Sequence, residues 1–239
     1  MSTIAFAPDS PFDLDENFTV ETLEGGGVEV TASPFGNDPF GIGINYVNIT
    51  QFDDKYNGAD IRDVVDGGEG NDTLDGAGGN DNLQGGAGDD LVDGGTGEDV
   101  LTGGIGFDTL LGGEGNDNLD GGKGNDELEG GEGEDVIQGG EGKDTLIGGE
   151  GNDTIIAGAG DDVLAGGAGA DSFVLQVTEE TGGDIIQDFE AGGDKIRILG
   201  AVGGNVVYDS NTGELSVNGE KLVQLDPGLD FSSDDFELF

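Results

Sequence analysis

A run of nine-residue units decides the fold of this chain. Residues 67–102 read GGEGNDTLD-GAGGNDNLQ-GGAGDDLVD-GGTGEDVLT, and the same unit continues without a gap to its twelfth copy, GGAGADSFV at residues 166–174. The twelve units contain 35 of the 52 glycines in the 239-residue chain. A short fixed period is the signature of a solenoid, so the repeat carries more weight than any local pattern.

Two positions of the unit keep their character throughout. The sixth position is always Asp, at Asp72, Asp81, Asp90, Asp99, Asp108, Asp117, Asp126, Asp135, Asp144, Asp153, Asp162 and Asp171. The eighth position is always apolar, at Leu74, Leu83, Val92, Leu101, Leu110, Leu119, Leu128, Ile137, Leu146, Ile155, Leu164 and Phe173. A disordered glycine-rich tract is the other interpretation of this composition, and twelve fixed acidic and apolar positions argue against it.

The unit predicts an all-β fold, a right-handed parallel β-roll. Three residues around the apolar side chain make a short strand, and six residues with three glycines make a turn. Two units then form one coil of 18 residues, and stacked coils form two parallel sheets with the eighth-position side chains between them. Loops n and n+2 lie above one another, so their aspartates come into register.

A cation between loops n and n+2 is expected to hold the roll together. The interior has one core residue in nine, and stacked aspartates repel one another. Ca²⁺ accepts six to eight oxygen ligands in flexible geometry, whereas Mg²⁺ demands an octahedral site. Carboxylates and turn carbonyls supply such oxygens, so the twelve repeat aspartates are the candidate ligands for up to about ten Ca²⁺ ions. Binding energy then becomes folding energy, and we expect disorder without calcium.

The charge balance excludes several classes of function. The chain has 53 acidic and 7 basic residues, a formal net charge of -46, and no Cys, His or Trp. Disulfides, Cys/His zinc sites and the usual serine, cysteine and HExxH hydrolases are therefore excluded. So acidic a chain repels nucleic acid and anionic membrane surfaces, and it attracts cations. No apolar stretch approaches a membrane span.

The flanks lack the regular unit. Residues 1–57 are predicted to form an N-terminal β-rich cap, with strands at 18–23 and 28–31. Residues 58–66, GADIRDVVD, form a degenerate capping repeat whose Asp63 is a further candidate metal ligand. Residues 175–239 predict a β-meander cap, with a hairpin at Asn218-Gly219 because both residues tolerate positive φ.

The repeats, with the consensus GGxGxDxUx, resemble the calcium-binding repeats of the RTX β-roll family. The segment DIIQDFEAGGDKIRI (184–198) resembles the one that follows the roll in serralysin-type proteases and cyanobacterial RTX calcium-binding proteins. Asp184, Asp188 and Asp194 match its acidic places, which implies either a further ion site or turn and cap residues.

The C-terminal residues SSDDFELF (232–239) resemble the uncleaved export signal of type I secretion. The start of the chain shows no signal of the Sec type. Together with the repeats, this implies a secreted protein, extracellular or on the cell surface, with the type I secretion machinery as a partner. Export of an unfolded chain and folding in calcium-rich surroundings are consistent with that route.

The expected function is a non-enzymatic, structural or adhesive calcium-binding protein. Cell-surface or matrix polysaccharide and surface-layer protein are its candidate partners. The alternative is a polysaccharide-binding module, although the few scattered basic residues argue against acidic glycans. A third class, a carboxylate-based glycoside hydrolase, needs only two acids, but no pair is marked as catalytic. Ile105 and Phe107 place apolar groups in one loop, either as loop variation or as a small contact patch.

Overall fold

The computed structural model describes residues 18–22, 28–32, 44–48, 51–177, 183–201 and 203–239. These residues form strands, turns and loops, and in this part of the chain there is no helix of a length and apolarity that would cross a bilayer. The predicted all-β class is confirmed.

The strands of the described residues follow one another at short intervals. They are β1 (Phe18–Thr22), β2 (Val28–Ala32), β3 (Ile44–Asn48), β4 (Lys55–Asp60), β5 (Arg62–Glu69), β6 (Thr73–Gly78), β7 (Asn82–Ala87), β8 (Leu91–Thr96), β9 (Val100–Ile105), β10 (Thr109–Glu114), β11 (Asn118–Lys123), β12 (Glu127–Glu132), β13 (Val136–Glu141), β14 (Thr145–Glu150), β15 (Thr154–Ala159), β16 (Val163–Ala168), β17 (Ser172–Gln176), β18 (Asp184–Ile186), β19 (Lys195–Leu199), β20 (Val206–Asp209), β21 (Glu214–Val217), β22 (Glu220–Gln224) and β23 (Phe236–Leu238).

Alternate strands belong to two different sheets, as a solenoid requires. Sheet I has the order β1-β2-β4-β6-β8-β10-β12-β14-β16-β18-β22-β21-β20, and sheet II has the order β23-β19-β17-β15-β13-β11-β9-β7-β5-β3. Within the roll every pair is parallel, and partners are 18 residues apart, as in Leu110 with Leu128. The predicted parallel β-roll with an 18-residue coil is confirmed.

The core is a single row of eighth-position side chains from each sheet. Each of these twelve side chains is buried, and they form one continuous apolar cluster. Within the repeats few other side chains join them, because the other strand positions face outward or are glycine. The burial of the eighth position is therefore confirmed, and so is the thinness of the interior.

The strands are longer than predicted. They run for six residues and include the first three positions of the next unit, as the pairing of Gly113 with Gly131 shows. Within the twelve units, positive φ occurs at the second and fourth positions, for example 111° at Gly113 and 133° at Gly115. A Cβ on Gly115 would overlap the carbonyl oxygen of Gly97 in the coil before it. The loop proper is thus only three residues long.

Ala77 is a natural exception at the second position, which is glycine in the other eleven units. Its φ is 67°, in the left-handed region that costs a non-glycine residue about 1–2 kcal/mol. Replacement by glycine would remove this cost. Glycine, however, loses more backbone entropy on folding than alanine, which offsets about 0.5–1 kcal/mol of the stabilisation. Ala77→Gly should therefore stabilise the calcium-loaded protein by up to about 1 kcal/mol, measured by thermal melting.

Ala87→Gly is the matched control for this prediction, because Ala87 occupies a third position whose φ is not positive. It should give no stabilisation. A melting temperature of Ala77→Gly at or below that of Ala87→Gly would contradict the strain at Ala77.

The caps extend both ends of the sheets. At the N-terminal end, β1 and β2 form an antiparallel pair and β2 runs parallel to β4, which confirms the two predicted strands. The predicted glycine turn between them lies outside the described residues. At the C-terminal end, β20, β21 and β22 form the predicted antiparallel meander, with φ of 56° at Asn218 and 89° at Gly219.

Aromatic side chains close the C-terminal end of the core. Phe189 lies 6.2 Å from Phe173 and 5.7 Å from Phe231, measured between ring centroids, and Phe231 stacks on Phe236 at 6.0 Å. Phe236 belongs to β23, which pairs with β19 as the last strand of sheet II. The C-terminal residues are thus part of the folded sheet.

Candidate metal centre

The sixth-position aspartates form two rows, one along each edge of the roll. In each row the backbone N–H of one Asp donates to Oδ1 of the next, over 2.7–3.1 Å. One row runs Asp54, Asp72, Asp90, Asp108, Asp126, Asp144, Asp162 and Asp184, and the other runs Asp63, Asp81, Asp99, Asp117, Asp135, Asp153, Asp171 and Asp194. The structure therefore aligns loops n and n+2 as the spacing predicts.

The second oxygen of each repeat carboxylate has no protein partner. The twelve repeat aspartates are only 1–3% exposed, and Oδ2 of every one is buried without a hydrogen bond. A buried polar atom left unsatisfied costs about 1–3 kcal/mol, so native proteins pair nearly all of them. Twelve such atoms in regular rows are suited to accept a cation as their common partner.

Oxygens from two loops converge where each unit begins. A Cβ placed on Gly121 would lie 2.7 Å from Oδ2 of Asp126 and 2.7 Å from the carbonyl oxygen of Gly139. The same pair of oxygens surrounds Gly94, at 2.5 Å from Asp99 and 2.8 Å from Gly112. Glycine at this first position keeps the space between the loops open. Ala157 is the exception, and its methyl group is buried at the same place.

Burial raises the pKa of each of the twelve repeat aspartates. Desolvation is the largest cause, the backbone hydrogen bond to each carboxylate opposes it, and neighbouring aspartates of the row raise several of the values further. The pKa of Asp81 rises to about 8, and those of Asp72 and Asp108 rise to about 7. Carboxylates in such surroundings favour any positive charge that enters, whether a proton or a metal ion.

The donor set fits Ca²⁺ if backbone carbonyls take part. No place in the described residues gathers three or more acidic side chains into one cluster. Two carboxylates from loops n and n+2 and carbonyls of the glycine turns are hard oxygen donors, and Ca²⁺ accepts six to eight of these in flexible geometry. The repeat aspartates would hold such an ion, which would neutralise the rows and satisfy the unpartnered oxygens.

The flanking candidates take different places. Asp63 and Asp194 end one row and Asp184 ends the other, although the repeat has stopped before Asp184 and Asp194. Asp188 lies outside the rows, and its two oxygens accept the N–H groups of Gly166 and Gly167, each at 2.9 Å. A role for these four as metal ligands stays a prediction.

Sequence analysis missed Asp54. It begins one row, 18 residues before Asp72, and its N–H donates to Oδ1 of Asp72 at 2.8 Å. Two residues on, Tyr56 is fully buried in line with Leu74, so Asp54 and Tyr56 take the places of the sixth and eighth residues of a unit. The position of Asp54, one 18-residue coil before Asp72, was the sequence signal that could have identified it.

Besides the two aspartate rows, exposed asparagine side chains also link successive coils. Asn116, Asn125 and Asn152 occupy the fifth position, and Oδ1 of each accepts the N–H of the fifth residue two units later, at 2.9 Å. These hydrogen bonds need no cation.

Asp117 contributes to two successive gaps of its row. Its Oδ1 accepts the N–H of Asp99 and its own N–H donates to Asp135, both at 2.8 Å. Asp117→Ala should lower the number of bound calcium ions by about one or two and increase hydrogen exchange in the adjacent coils only, because solenoid contacts are between neighbours. Calorimetry and hydrogen exchange with calcium present measure the two effects.

Asp120→Ala is the control for Asp117→Ala, because it removes the same charge from the ninth position of the same unit, outside the row. It should leave the ion count unchanged. Equal loss of protection along the whole roll in Asp117→Ala would contradict the local character of the effect.

Comparisons with known proteins agree with the repeat. A family model described as the RTX calcium-binding nonapeptide repeat (4 copies) matches residues 50–83, 57–92, 75–110, 102–137, 111–146 and 138–173, which together span more than half of the chain. Among solved structures, the chain is similar to the extracellular lipase LipA from Serratia marcescens, at 20% identity and a TM-score of 0.32. That match covers 81% of this chain and 42% of the lipase. No curated protein matches the chain.

Proposed function

The chain belongs to the family of RTX calcium-binding nonapeptide repeats, and we propose that it works outside the cell as a structural or adhesive β-roll that folds when calcium binds. Its repeats are calcium-binding repeats and they form a parallel β-roll. Beyond these two statements, we propose three things: that folding depends on calcium, that the protein is exported, and that it has a structural or adhesive role outside the cell.

One observation carries the coupling of calcium to folding. Oδ2 of all twelve repeat aspartates is buried and unpartnered between loops that the backbone already aligns. A cation in these gaps would satisfy the oxygens and remove the repulsion along each row. Successive aspartates enclose seven gaps per row, of which the regular repeats supply five. About ten ions in the roll is therefore the expected number.

Secretion is proposed from the same coupling. A chain that stays unfolded at low calcium can pass through an export channel and then fold where calcium is abundant. The C-terminal residues that resemble a type I export signal would have to be free during export, because in the folded protein β23 pairs with β19. The partner in export would be a type I secretion machinery.

The proposed role involves no catalysis. In the roll, each repeat aspartate makes the same type of hydrogen bond to the next aspartate of its row. No pair of them has a distinct environment of the kind that a catalytic acid and base would need. A polysaccharide-binding role is the second candidate. A groove on the outer face of sheet II favours it.

Calorimetric titration of the metal-free protein with Ca²⁺, followed in parallel by circular dichroism, tests the proposal. We expect uptake of about ten ions together with gain of sheet signal. The same titration with Mg²⁺ should give little of either, because Mg²⁺ dehydrates reluctantly and demands octahedral geometry. Uptake of only one or two ions, or an equal response to Mg²⁺, would refute the proposal.

A further inference from the structure

A groove of about 1100 Å³ crosses the outer face of sheet II from β5 to β17. Its floor is a row of second-position glycines from six successive strands, Gly68, Gly86, Gly104, Gly122, Gly140 and Gly158. Ninth-position side chains form one wall and third-position side chains form the other. Seven strands at a spacing of ~4.8 Å give the groove a length of about 29 Å.

The walls carry hydrogen-bonding groups but little net charge for so acidic a protein. Gln84, Gln138 and Asp120 lie on the ninth-position wall, and Lys123 and Ile105 lie on the third-position wall. Lys123 pairs with Glu141 at 2.8 Å, which neutralises both charges on that wall. Amides and carboxylates of this kind can donate to and accept from hydroxyl groups.

Two large apolar side chains at or near the groove, Ile105 and Phe107, lie outside the hydrophobic core. Ile105 and Phe107 are 59% and 61% exposed, and they are the only large apolar residues at the third and fifth positions of the twelve units. Five other units have Glu at the third position and five have Asn at the fifth. Both exceptions fall in one unit: Ile105 lines the groove wall, and Phe107 follows it by two residues in the chain.

The negative charge of the protein limits the kinds of ligand that could bind in the groove. The formal net charge is -46, and it stays at about -26 with ten Ca²⁺ bound, so the folded roll repels nucleic acid, acidic glycans and a second copy of the chain. A cationic partner would find a stronger field on sheet I, where Glu114, Glu132 and Glu150 stand side by side on adjacent strands. An uncharged polymer is left for the groove of sheet II.

We propose that this groove binds a linear, uncharged polysaccharide. The hydroxyl groups of the sugar rings would bond to the amides and carboxylates of the walls, and the apolar faces of the rings would pack on Ile105 and Phe107. A groove that crosses successive strands offers the same contacts at a regular interval, which suits a polymer with a repeating unit. The inference rests on the proposed function, because the groove exists only in the folded roll.

The test is affinity electrophoresis in calcium-containing gels with hydroxyethylcellulose, laminarin or sodium alginate. The wild-type protein should be retarded by at least one of the two uncharged polymers and less by alginate. The double variant Ile105→Glu/Phe107→Asn introduces residues that other units carry at these positions, so it should fold. Its affinity should fall about tenfold or more, as for the loss of central apolar contacts.

Thr96→Glu is the matched control, since it adds the same charge at the third position on sheet I, and it should bind like the wild type. Wild-type binding in the double variant, no retardation by either uncharged polymer, or preference for alginate would overturn the inference. Circular dichroism with calcium and with chelator separates the two claims. A roll that folds on calcium and ignores both uncharged polymers overturns the groove alone, whereas a calcium-independent fold overturns the proposed function.

Discussion

Excess EGTA at neutral pH is expected to abolish most of the β-sheet circular dichroism signal of the protein. Without a cation, the rows retain twelve buried carboxylate oxygens that have no partner. Each such atom costs about 1–3 kcal/mol, so twelve of them cost about 12–36 kcal/mol, as much as or more than the about 5–15 kcal/mol of net stability of an ordinary domain. The interior, with one apolar side chain per unit, offers little to oppose this cost.

Readdition of Ca²⁺ should restore the signal, and the same concentration of Mg²⁺ should not. The melting transition should rise with calcium concentration, because an ion that binds only the folded state stabilises it by mass action. Full sheet signal and an unchanged melting temperature in EGTA would show that the rows are satisfied without metal.

Acidification of the calcium-free protein, from about pH 8 to about pH 5, is expected to restore much of the sheet signal. The pKa is raised by burial to about 8 at Asp81, to about 7 at Asp144 and to about 6 at Asp117, whereas an unfolded Asp titrates near 3.9. The folded state therefore binds more protons than the unfolded state between about pH 4 and pH 8, so its stability rises as the pH falls through this window. Protons then neutralise the rows in place of calcium.

Salt is the control for the acid experiment. Sodium chloride at pH 8 screens repulsion between exposed charges, but buried pairs are screened much less, so salt alone should not restore the sheet. A calcium-free protein that loses structure steadily on acidification would contradict the raised pKa values of the rows.

The nine-residue spacing made much of the roll predictable. A fixed apolar residue every nine positions implies burial between two sheets, and Leu110 and Leu119 are buried in that way from opposite sheets. A fixed Asp two residues earlier implies alignment of loops n and n+2, which the hydrogen bond from Asp99 to Asp117 displays. Both follow because the repeat determines the direction of every side chain.

The ends of the roll were harder to predict. Asp54 and Tyr56 occupy unit positions in a segment, ITQFDDKYN, that lacks glycine, so the composition of the repeat concealed them. Beyond residue 174 the coils lengthen, and Asp184 and Asp194 follow their row partners by 22 and 23 residues instead of 18. Their places in the rows depend on the path of longer loops, which local pattern does not specify.

The length of the strands escaped prediction for a different reason. Consecutive glycines suggest a turn, because glycine tolerates positive φ. In the roll, the ladder of a preceding coil imposes the extended path, and Gly122 pairs with Gly140 inside a sheet. Neighbouring coils, not local preference, decide where each strand ends.

The docking of β23 on β19 has a consequence for the order of assembly. Sheet II receives this last strand from residues 236–238, and Arg197 on β19 packs over the ring of Phe239 at 4.9 Å. A protein that binds the C-terminal residues would prevent β23 from pairing with β19 for as long as it stays bound. If the chain is exported by the proposed route, pairing of β23 with β19 would then be the last step of folding, and it would occur only after export has ended.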